Sequence, residues 1–196
     1  IKMGFEVFVE SGAGLAANFT DEAYTQAGAT VQTFDQLKGS DAFVHINIPS
    51  GELIDSLTDE IYWISSIYHR TNADVVAKMN AKNWNAISLD AIPRISRAQS
   101  MDILSSQANL AGYRAVIEGA YHLDKIFPML MTAAGTITPS KVLVFGVGVA
   151  GLQAIATAKR LGAVVEATDV RPETKEQVES LGGKFIEVKG ASVESE

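Results

Sequence analysis

Glycines at positions 146, 148 and 151 have the G-x-G-x-x-G spacing that lets a backbone approach a phosphate group closely. They follow the apolar run Val142–Phe145 and open an alanine-rich segment, so we expect a strand, a tight turn and a helix. There Gly146 would make the turn, Gly148 would let backbone N–H groups reach a pyrophosphate, and Gly151 would let the helix pack against the strand. This context predicts a dinucleotide site; the alternative is a glycine-rich turn that binds no nucleotide.

Asp169 ends the next predicted strand, Val164–Asp169, at the position where an acidic residue is expected about 20 residues beyond the glycines. Such a residue holds the ribose hydroxyls of a dinucleotide. Because a carboxylate there would repel the 2′-phosphate of NADP, Asp169 favours NAD(H). Arg171 follows two residues later, and three roles are open to it: a contact to such a phosphate, a solvated side chain, or a neighbour of the adenine.

A polar run from Arg94 to Ser105 lies between two apolar halves of the chain. Since positions three apart are neighbours on a helix, Gln99, Asp102 and Ser105 are expected to line one side of its first two turns, with Arg94 on the incoming loop. A glutamine suits a nicotinamide carboxamide because it donates and accepts without titrating. Alternatively, Ser96 and Gln99 form an S-x-x-Q capping box, in which case both residues are present only because they cap the start of a helix. The spacing favours neither interpretation.

Composition excludes several other functions. Subtracting 23 acidic from 16 basic residues gives a net charge of −7, which disfavours a nucleic-acid partner. With no cysteine, the sequence offers no disulfide, thiolate metal site or thiol nucleophile, and it fits a reducing compartment. The three histidines are far apart in sequence, so we expect no metal site. The uncharged stretch Val142–Ala158 is interpreted as a strand followed by a helix rather than as a membrane span.

Short β-favouring runs alternate with helical segments over residues 1 to about 95, which indicates a parallel sheet with covered faces. Residues Ser96 to about Leu123 favour one long helix. Strand, helix, strand, helix and strand then follow at Lys141–Phe145, Gly151–Leu161, Val164–Asp169, Glu173–Leu181 and Lys184–Val188. The predicted fold class is α/β, with two Rossmann-like parallel-sheet domains joined by a long helix, the second present only as its first βαβαβ half. We place the domains at 1–104 and 105–196 and expect further chain at both ends.

Two sequence runs carry a family resemblance: PRISRAQSMD at 93–102 and LSSQANLAGYRAV at 104–116. Together with the segment from Gly146 to Pro172, they resemble the NAD(H)-binding domain of the alpha subunit of proton-translocating NAD(P) transhydrogenase. The resemblance covers essentially the whole chain but only about the first half of the family's domain. It implies direct hydride transfer between NAD(H) on this domain and NADP(H) on a separate domain, coupled to proton translocation by a membrane domain.

The resemblance also implies roles for individual residues. Those that match the family's loop over the nicotinamide are Arg94, Gln99 and Asp102, assisted by Ser105. Val149 would contact the nucleotide from the fingerprint turn, and Asp169, Val170 and Arg171 would surround the adenosine ribose. The family further implies a homodimer that lies on the cytoplasmic side of a bacterial inner membrane or on the mitochondrial matrix side.

Alanine dehydrogenase resembles this family and is the main alternative. That enzyme places a lysine two residues before a proline, and a histidine after the next strand. Asn47 precedes Pro49 at the first place here, and Tyr68 stands at the second, with His69 adjacent. We therefore expect no alanine oxidation. A further alternative is a non-catalytic NAD-binding module, which the set of Arg94, Gln99 and Asp102 argues against.

Overall fold

The chain divides into two compact units, Ile1–Met101 and Asp102–Glu196. The boundary lies three residues before the one predicted between residues 104 and 105. The structure is a computed structural model that describes residues 1–93 and 95–187. Each unit contains parallel strands connected through helices, and the predicted α/β fold class is confirmed. Across the described residues, no helix combines the length and the apolar character needed to cross a membrane.

Within its described residues, the first unit contains five short strands and four α-helices. Side-chain caps start two of these helices: Thr20 accepts a hydrogen bond from Ala23 N–H, and Ser50 accepts one from Leu53 N–H. The strands are β1 (Phe8–Glu10), β2 (Thr30–Gln32), β3 (Ala42–Val44), β4 (Tyr62–Ser65) and β5 (Asn85–Ser88). The helices are α1 (Asp21–Gln26), α2 (Phe34–Leu37), α3 (Gly51–Ser56) and α4 (Ala73–Ala81), with short 3-10 helices at Leu15–Ala17, Leu89–Ala91 and Ser96–Met101.

These strands form two parallel sheets, β1–β2 and β3–β4–β5. In the larger sheet, Val44 pairs with Ile64 and Ile64 pairs with Ile87, so the three side chains share one face. Val44 is 78% exposed and Ile87 49% exposed, whereas Trp63 on the opposite face is 1% exposed. The sequence predicted that both faces are covered, but the described residues bury one.

Two tryptophans organise the core of the first unit. Trp63 and Trp84 stack with ring centroids 5.5 Å apart, and Ile54 and Met79 are buried in the same cluster. Each indole N–H has a partner, because Trp63 Nε1 donates to Ser65 Oγ and Trp84 Nε1 donates to the Thr58 carbonyl, both at 2.9 Å. The apolar rings are therefore buried without leaving a polar atom unsatisfied.

The second unit has the predicted βαβαβ order after a long helix. Its helices are α5 (Ile103–His122), α6 (Val149–Arg160) and α7 (Thr174–Ser180), and its strands are β6 (Leu130–Thr132), β7 (Gly135–Ile137), β8 (Lys141–Phe145), β9 (Val164–Thr168) and β10 (Lys184–Phe185). Strands β8, β9 and β10 form a parallel sheet in the order β10–β9–β8. The antiparallel hairpin β6–β7 was not predicted. The last predicted strand extends to Val188, which lies outside the described residues.

The long helix begins later than predicted. Residues Ser96–Met101 form a separate 3-10 helix, and α5 starts at Ile103 with Asp102 as its N-cap. Asp102 has φ −76° and ψ 91°, outside helical geometry, because its carboxylate accepts a hydrogen bond from Ser105 N–H at the start of the helix. The prediction of one continuous helix from Ser96 was therefore wrong.

Helix α5 packs on α6 through a glycine. A Cβ built on Gly112 would overlap the carbonyl oxygen of Ala150, in the first turn of α6. Gly112 is buried, whereas Gly119, two turns later on the same helix, is exposed and would meet no described atom within 4 Å. The close approach of the two helices therefore depends on the missing side chain at position 112.

We expect Gly112→Ala to lower the free energy of unfolding by about 2 kcal/mol, because the new methyl group must push α6 away from α5. Gly119→Ala is the matched control, and we expect it to stabilise the protein by about 0.5–1 kcal/mol, since alanine is the better helix residue where space is open. Chemical denaturation measures both. Equal effects of the two changes would contradict the packing role of Gly112.

Candidate functional site

The turn between β8 and α6 has the geometry that its glycines predict. Gly146 has φ +87°, a left-handed conformation that favours glycine, and its N–H donates to the Thr168 carbonyl at 2.9 Å. A Cβ on Gly151 would overlap the carbonyl oxygen of Gly146. The tight turn and the close helix packing expected of these two glycines are both present.

Gly148 occupies the N-cap position of α6, with φ −85° and ψ −165°. A Cβ placed there would meet nothing within 4 Å in the described part of the protein. No described side chain caps the first turn of α6, so its backbone N–H groups are available to an anion, which the positive end of the helix dipole also attracts. Val149, the first residue of the helix, is 44% exposed at this position. The arrangement fits a pyrophosphate.

Asp169 lies beside this turn because β8 and β9 are adjacent parallel strands, with Phe145 paired to Thr168. Its carboxylate accepts a hydrogen bond from Val147 N–H at 2.6 Å through Oδ2, and from Arg171 N–H at 2.9 Å through Oδ1. The side chain is only 6% exposed. The carboxylate and the glycine turn therefore form one connected site.

The Arg171 side chain covers the same carboxylate. Nε donates to Asp169 Oδ1 at 3.0 Å, Nη2 donates to Oδ2 at 3.1 Å, and Nη2 also approaches the Val147 carbonyl at 3.3 Å. The sequence left three roles open for Arg171, and none of them was this ion pair. The spacing Asp-x-Arg is the signal that could have predicted it, because it brings both groups to the end of one strand. Val170, between them, is 47% exposed.

Hydrogen bonding from Arg171, reinforced by the Val147 N–H, holds the pKa of Asp169 well below its ordinary value despite the opposing effect of burial. The Asp169 carboxylate in turn raises the pKa of Arg171. Because folding lowers the pKa of Asp169, its ionised form stabilises the fold above the ordinary value of 3.8, and this contribution is lost as the pH falls towards the lowered pKa. The pair is charged throughout the neutral range.

Asp102 and Ser105 are brought together at the start of α5. Ser105 N–H donates to Asp102 Oδ1 at 2.9 Å, and Ser105 Oγ donates to Oδ2 at 2.7 Å. Gln99 lies on the preceding 3-10 helix, in the first unit, so the predicted single helical face of Gln99, Asp102 and Ser105 is wrong. The cap of α5 is Asp102 rather than Ser96 with Gln99. Arg94 lies outside the described residues.

A second glycine-rich loop, Ser11–Gly14, follows β1 in the first unit. Asp21 of α1 accepts hydrogen bonds from Ser11 Oγ at 2.6 Å and from Gly12 N–H at 2.8 Å, and these lower its pKa. A Cβ on Gly14 would overlap side-chain atoms of Phe19 and Tyr24. The donors of this loop therefore hold the protein's own carboxylate, as Val147 N–H holds Asp169 in the turn after β8, where the first turn of α6 remains without a described side-chain cap.

Asp90 accepts a set of hydrogen bonds that the sequence analysis did not predict. It accepts hydrogen bonds from Ile67 N–H at 2.8 Å, Tyr68 N–H at 3.1 Å and Ser88 Oγ at 2.6 Å, just beyond the ends of β4 and β5. Burial is the largest influence on its pKa and raises it, but these hydrogen bonds together outweigh burial and lower the pKa. Tyr68 has φ +49°, and Asp90 holds its N–H in that strained conformation.

Within residues 1–93 and 95–187, no three His, Asp or Glu side chains lie close enough together to hold a metal ion. The site at Gly148 and Asp169 contains backbone donors and a single carboxylate, which suits a nucleotide phosphate and sugar.

Comparison with known proteins places both units in one family. The family described as "Alanine dehydrogenase/PNT, N-terminal domain" matches residues 1–111, and "Alanine dehydrogenase/PNT, C-terminal domain" matches residues 115–195. An NAD(P) transhydrogenase subunit alpha protein of Rhodospirillum rubrum is 56% identical over 195 residues, which cover 96% of this chain and 51% of that protein. The chain thus spans about half the length of this curated relative.

A solved transhydrogenase from Sinorhizobium meliloti superposes with a TM-score of 0.92 at 50% identity, covering 96% of this chain and 55% of that one. The alanine dehydrogenase of Bacillus subtilis is 25% identical over 190 residues, covering 95% of this chain and 50% of that enzyme. The chain therefore belongs to the alanine dehydrogenase/PNT family, and it is more similar to these transhydrogenases than to that alanine dehydrogenase.

Proposed function

We propose that this chain forms the NAD(H)-binding part of an NAD(P) transhydrogenase, in which a hydride passes directly between NAD(H) bound here and NADP(H) bound on a separate domain. The observation that carries the proposal is the hydrogen bond that joins the glycine turn after β8 to the Asp169 carboxylate. Asp169 accepts from the N–H of Val147 within the glycine turn, beside the open position at Gly148. The identity of 56% to a transhydrogenase alpha subunit supports the choice of reaction.

The second unit supplies the groups that would bind the adenosine half of NAD(H). The N–H groups at the start of α6 face open space at Gly148 and suit the pyrophosphate. Asp169 suits the ribose hydroxyls, and its negative charge disfavours a 2′-phosphate, so we propose NAD(H) rather than NADP(H) at this site. Val149, Val170 and Arg171 are proposed neighbours of the nucleotide.

Arg94, Gln99, Asp102 and Ser105 are the proposed residues around the nicotinamide. Ser105 fixes the carboxylate of Asp102 with two hydrogen bonds, so this pair is ordered before any substrate binds. When NADH reduces NADP⁺, C4 of the NADH dihydronicotinamide would transfer a hydride, which is one proton and two electrons, to C4 of the NADP⁺ nicotinamide. No side chain has to gain or lose a proton, so these residues act by positioning the ring.

The partners of this chain are proposed from the family resemblance, and the names of the relatives support the existence of partner subunits. A subunit named alpha implies partner subunits. We propose that these provide the NADP(H)-binding domain and a membrane domain that translocates protons, and that this part forms a homodimer on the cytoplasmic or mitochondrial matrix side. We do not propose alanine oxidation, because Asn47 stands where the related dehydrogenase has a lysine.

We expect Gly148→Val to weaken NADH binding roughly 100-fold, because losing two charge-assisted hydrogen bonds to the pyrophosphate at about 1.5 kcal/mol each corresponds to that factor. The fluorescence of reduced nicotinamide in a titration measures the affinity, with NADPH titrated in parallel. Gly39→Val is the matched control, since it also places a side chain in open space among the described residues. Both variants should keep the wild-type unfolding midpoint. Retained NADH affinity in Gly148→Val would contradict the pyrophosphate site.

We expect Gln99→Ala to slow hydride transfer by roughly 100-fold with little change in NADH affinity, because a ring displaced by about 1 Å loses reactive alignment. The assay supplies NADH, the NADP(H)-binding component and an NADP analogue whose reduced form absorbs at its own wavelength. Gln107→Ala, an exposed glutamine on α5, is the control. NADH binding without hydride transfer in the wild type would indicate a non-catalytic module, and alanine-dependent NADH formation would indicate an alanine dehydrogenase.

A further inference from the structure

Every acceptor position of the Asp169 carboxylate is in use. A carboxylate has two oxygens and about four lone-pair positions. Oδ1 accepts from the N–H and the Nε of Arg171, and Oδ2 accepts from the N–H of Val147 and from Nη2 of Arg171. A ribose that binds to this carboxylate must therefore replace donors that are already present.

The four donors differ in how easily they can be replaced. Two are backbone N–H groups, and Val147 is 1% exposed within the turn, so its donor is fixed by the fold. The other two belong to the Arg171 guanidinium, whose side chain is 51% exposed and has one further hydrogen bond, from Nη2 to the Val147 carbonyl at 3.3 Å. Only the guanidinium can leave without moving the backbone.

The geometry of the replaceable pair matches a sugar diol. The guanidinium makes one hydrogen bond to each carboxylate oxygen, at 3.0 Å to Oδ1 and 3.1 Å to Oδ2. The adjacent 2′ and 3′ hydroxyls of a ribose also provide two donors side by side. When two hydroxyls replace two guanidinium N–H groups, the number of hydrogen bonds to Asp169 is conserved, and the backbone donors keep the carboxylate in place.

We propose that Arg171 is a latch on the ribose-binding carboxylate: its guanidinium occupies Asp169 in the free protein and swings out when the ribose hydroxyls bind. The proposal rests on the proposed function, because it takes the adenosine ribose of NAD(H) as the competing ligand. Half of the Arg171 side chain is exposed, so the latch opens into water while the ribose hydroxyls take its place at the carboxylate, which is 6% exposed. It also keeps a nearly buried carboxylate from standing without a counter-charge before the nucleotide arrives.

The test is an NADH titration of the full chain carrying Arg171→Gln. Because Arg171 is half exposed and water screens its charge, we expect removal of this competitor to tighten NADH binding about threefold to fivefold. Arg171→Lys is the matched control: it keeps the positive charge near Asp169, and we expect its affinity to stay closer to that of the wild type. Adding Arg171→Gln to Asp169→Asn should produce no gain, because the latch acts only through the carboxylate.

A second measurement needs no variant. In the wild-type protein, the Nε–H of Arg171 should give an NMR signal protected by its bond to Asp169, and saturating NADH should move that signal to the position of a solvated arginine. This readout stays valid if a substitution impairs folding.

The outcomes separate the latch from the proposed function. NADH binding that is unchanged or weaker in Arg171→Gln, an equal gain in the Asp169→Asn background, or an Nε–H signal that NADH does not alter would each overturn the latch while leaving the NAD(H) site intact. Absence of NADH binding in the wild type and in both Arg171 variants would overturn the proposed function and the latch together.

Discussion

The hydrogen bond from Val147 N–H to the Asp169 carboxylate connects the parts of the proposed site. It joins the end of β9 to the turn after β8, and it can form because Phe145 and Thr168 are paired in parallel register. The left-handed Gly146 and the close packing at Gly151 bring the turn to that carboxylate. A carboxylate that is 6% exposed requires such donors, so the charge and the turn depend on each other.

Sequence patterns predicted the second unit well because its signals are local. Alternation of apolar strands with helices, and glycines at fixed spacing, describe contacts within a few residues, and the order β8, α6, β9, α7 and β10 follows them. The same patterns failed at Ser96–Asp102. Arg97, Ala98 and Gln99 favour a helix there, but the carboxylate of Asp102 accepts hydrogen bonds from Ser105 N–H and Oγ and sets the start of α5 at Ile103.

Contacts between distant segments were the part that the sequence could not supply. The hydrogen bond from Arg171 Nη2 to the Val147 carbonyl joins segments 24 residues apart, and Gly112 has no sequence feature that distinguishes it from Gly119. The two glycine-rich loops each donate to a carboxylate of the protein, Asp21 or Asp169, but only the loop at Gly148 leads into an α-helix whose first turn no described side chain caps. Whether a loop's donors are already satisfied is a tertiary property, and a motif does not report it.

Helix α5 connects two parts of the proposed site through one rigid element. Asp102 and Ser105 lie at its start, and Gly112 contacts the first turn of α6 about 15 Å further along, at 1.5 Å per residue. The helix therefore fixes the distance between the Asp102–Ser105 pair and the turn proposed to bind the pyrophosphate. Inserting one residue between 102 and 112 would lengthen it by about 1.5 Å and rotate the pair by about 100°, so the length of this segment is constrained even where its exposed side chains are not.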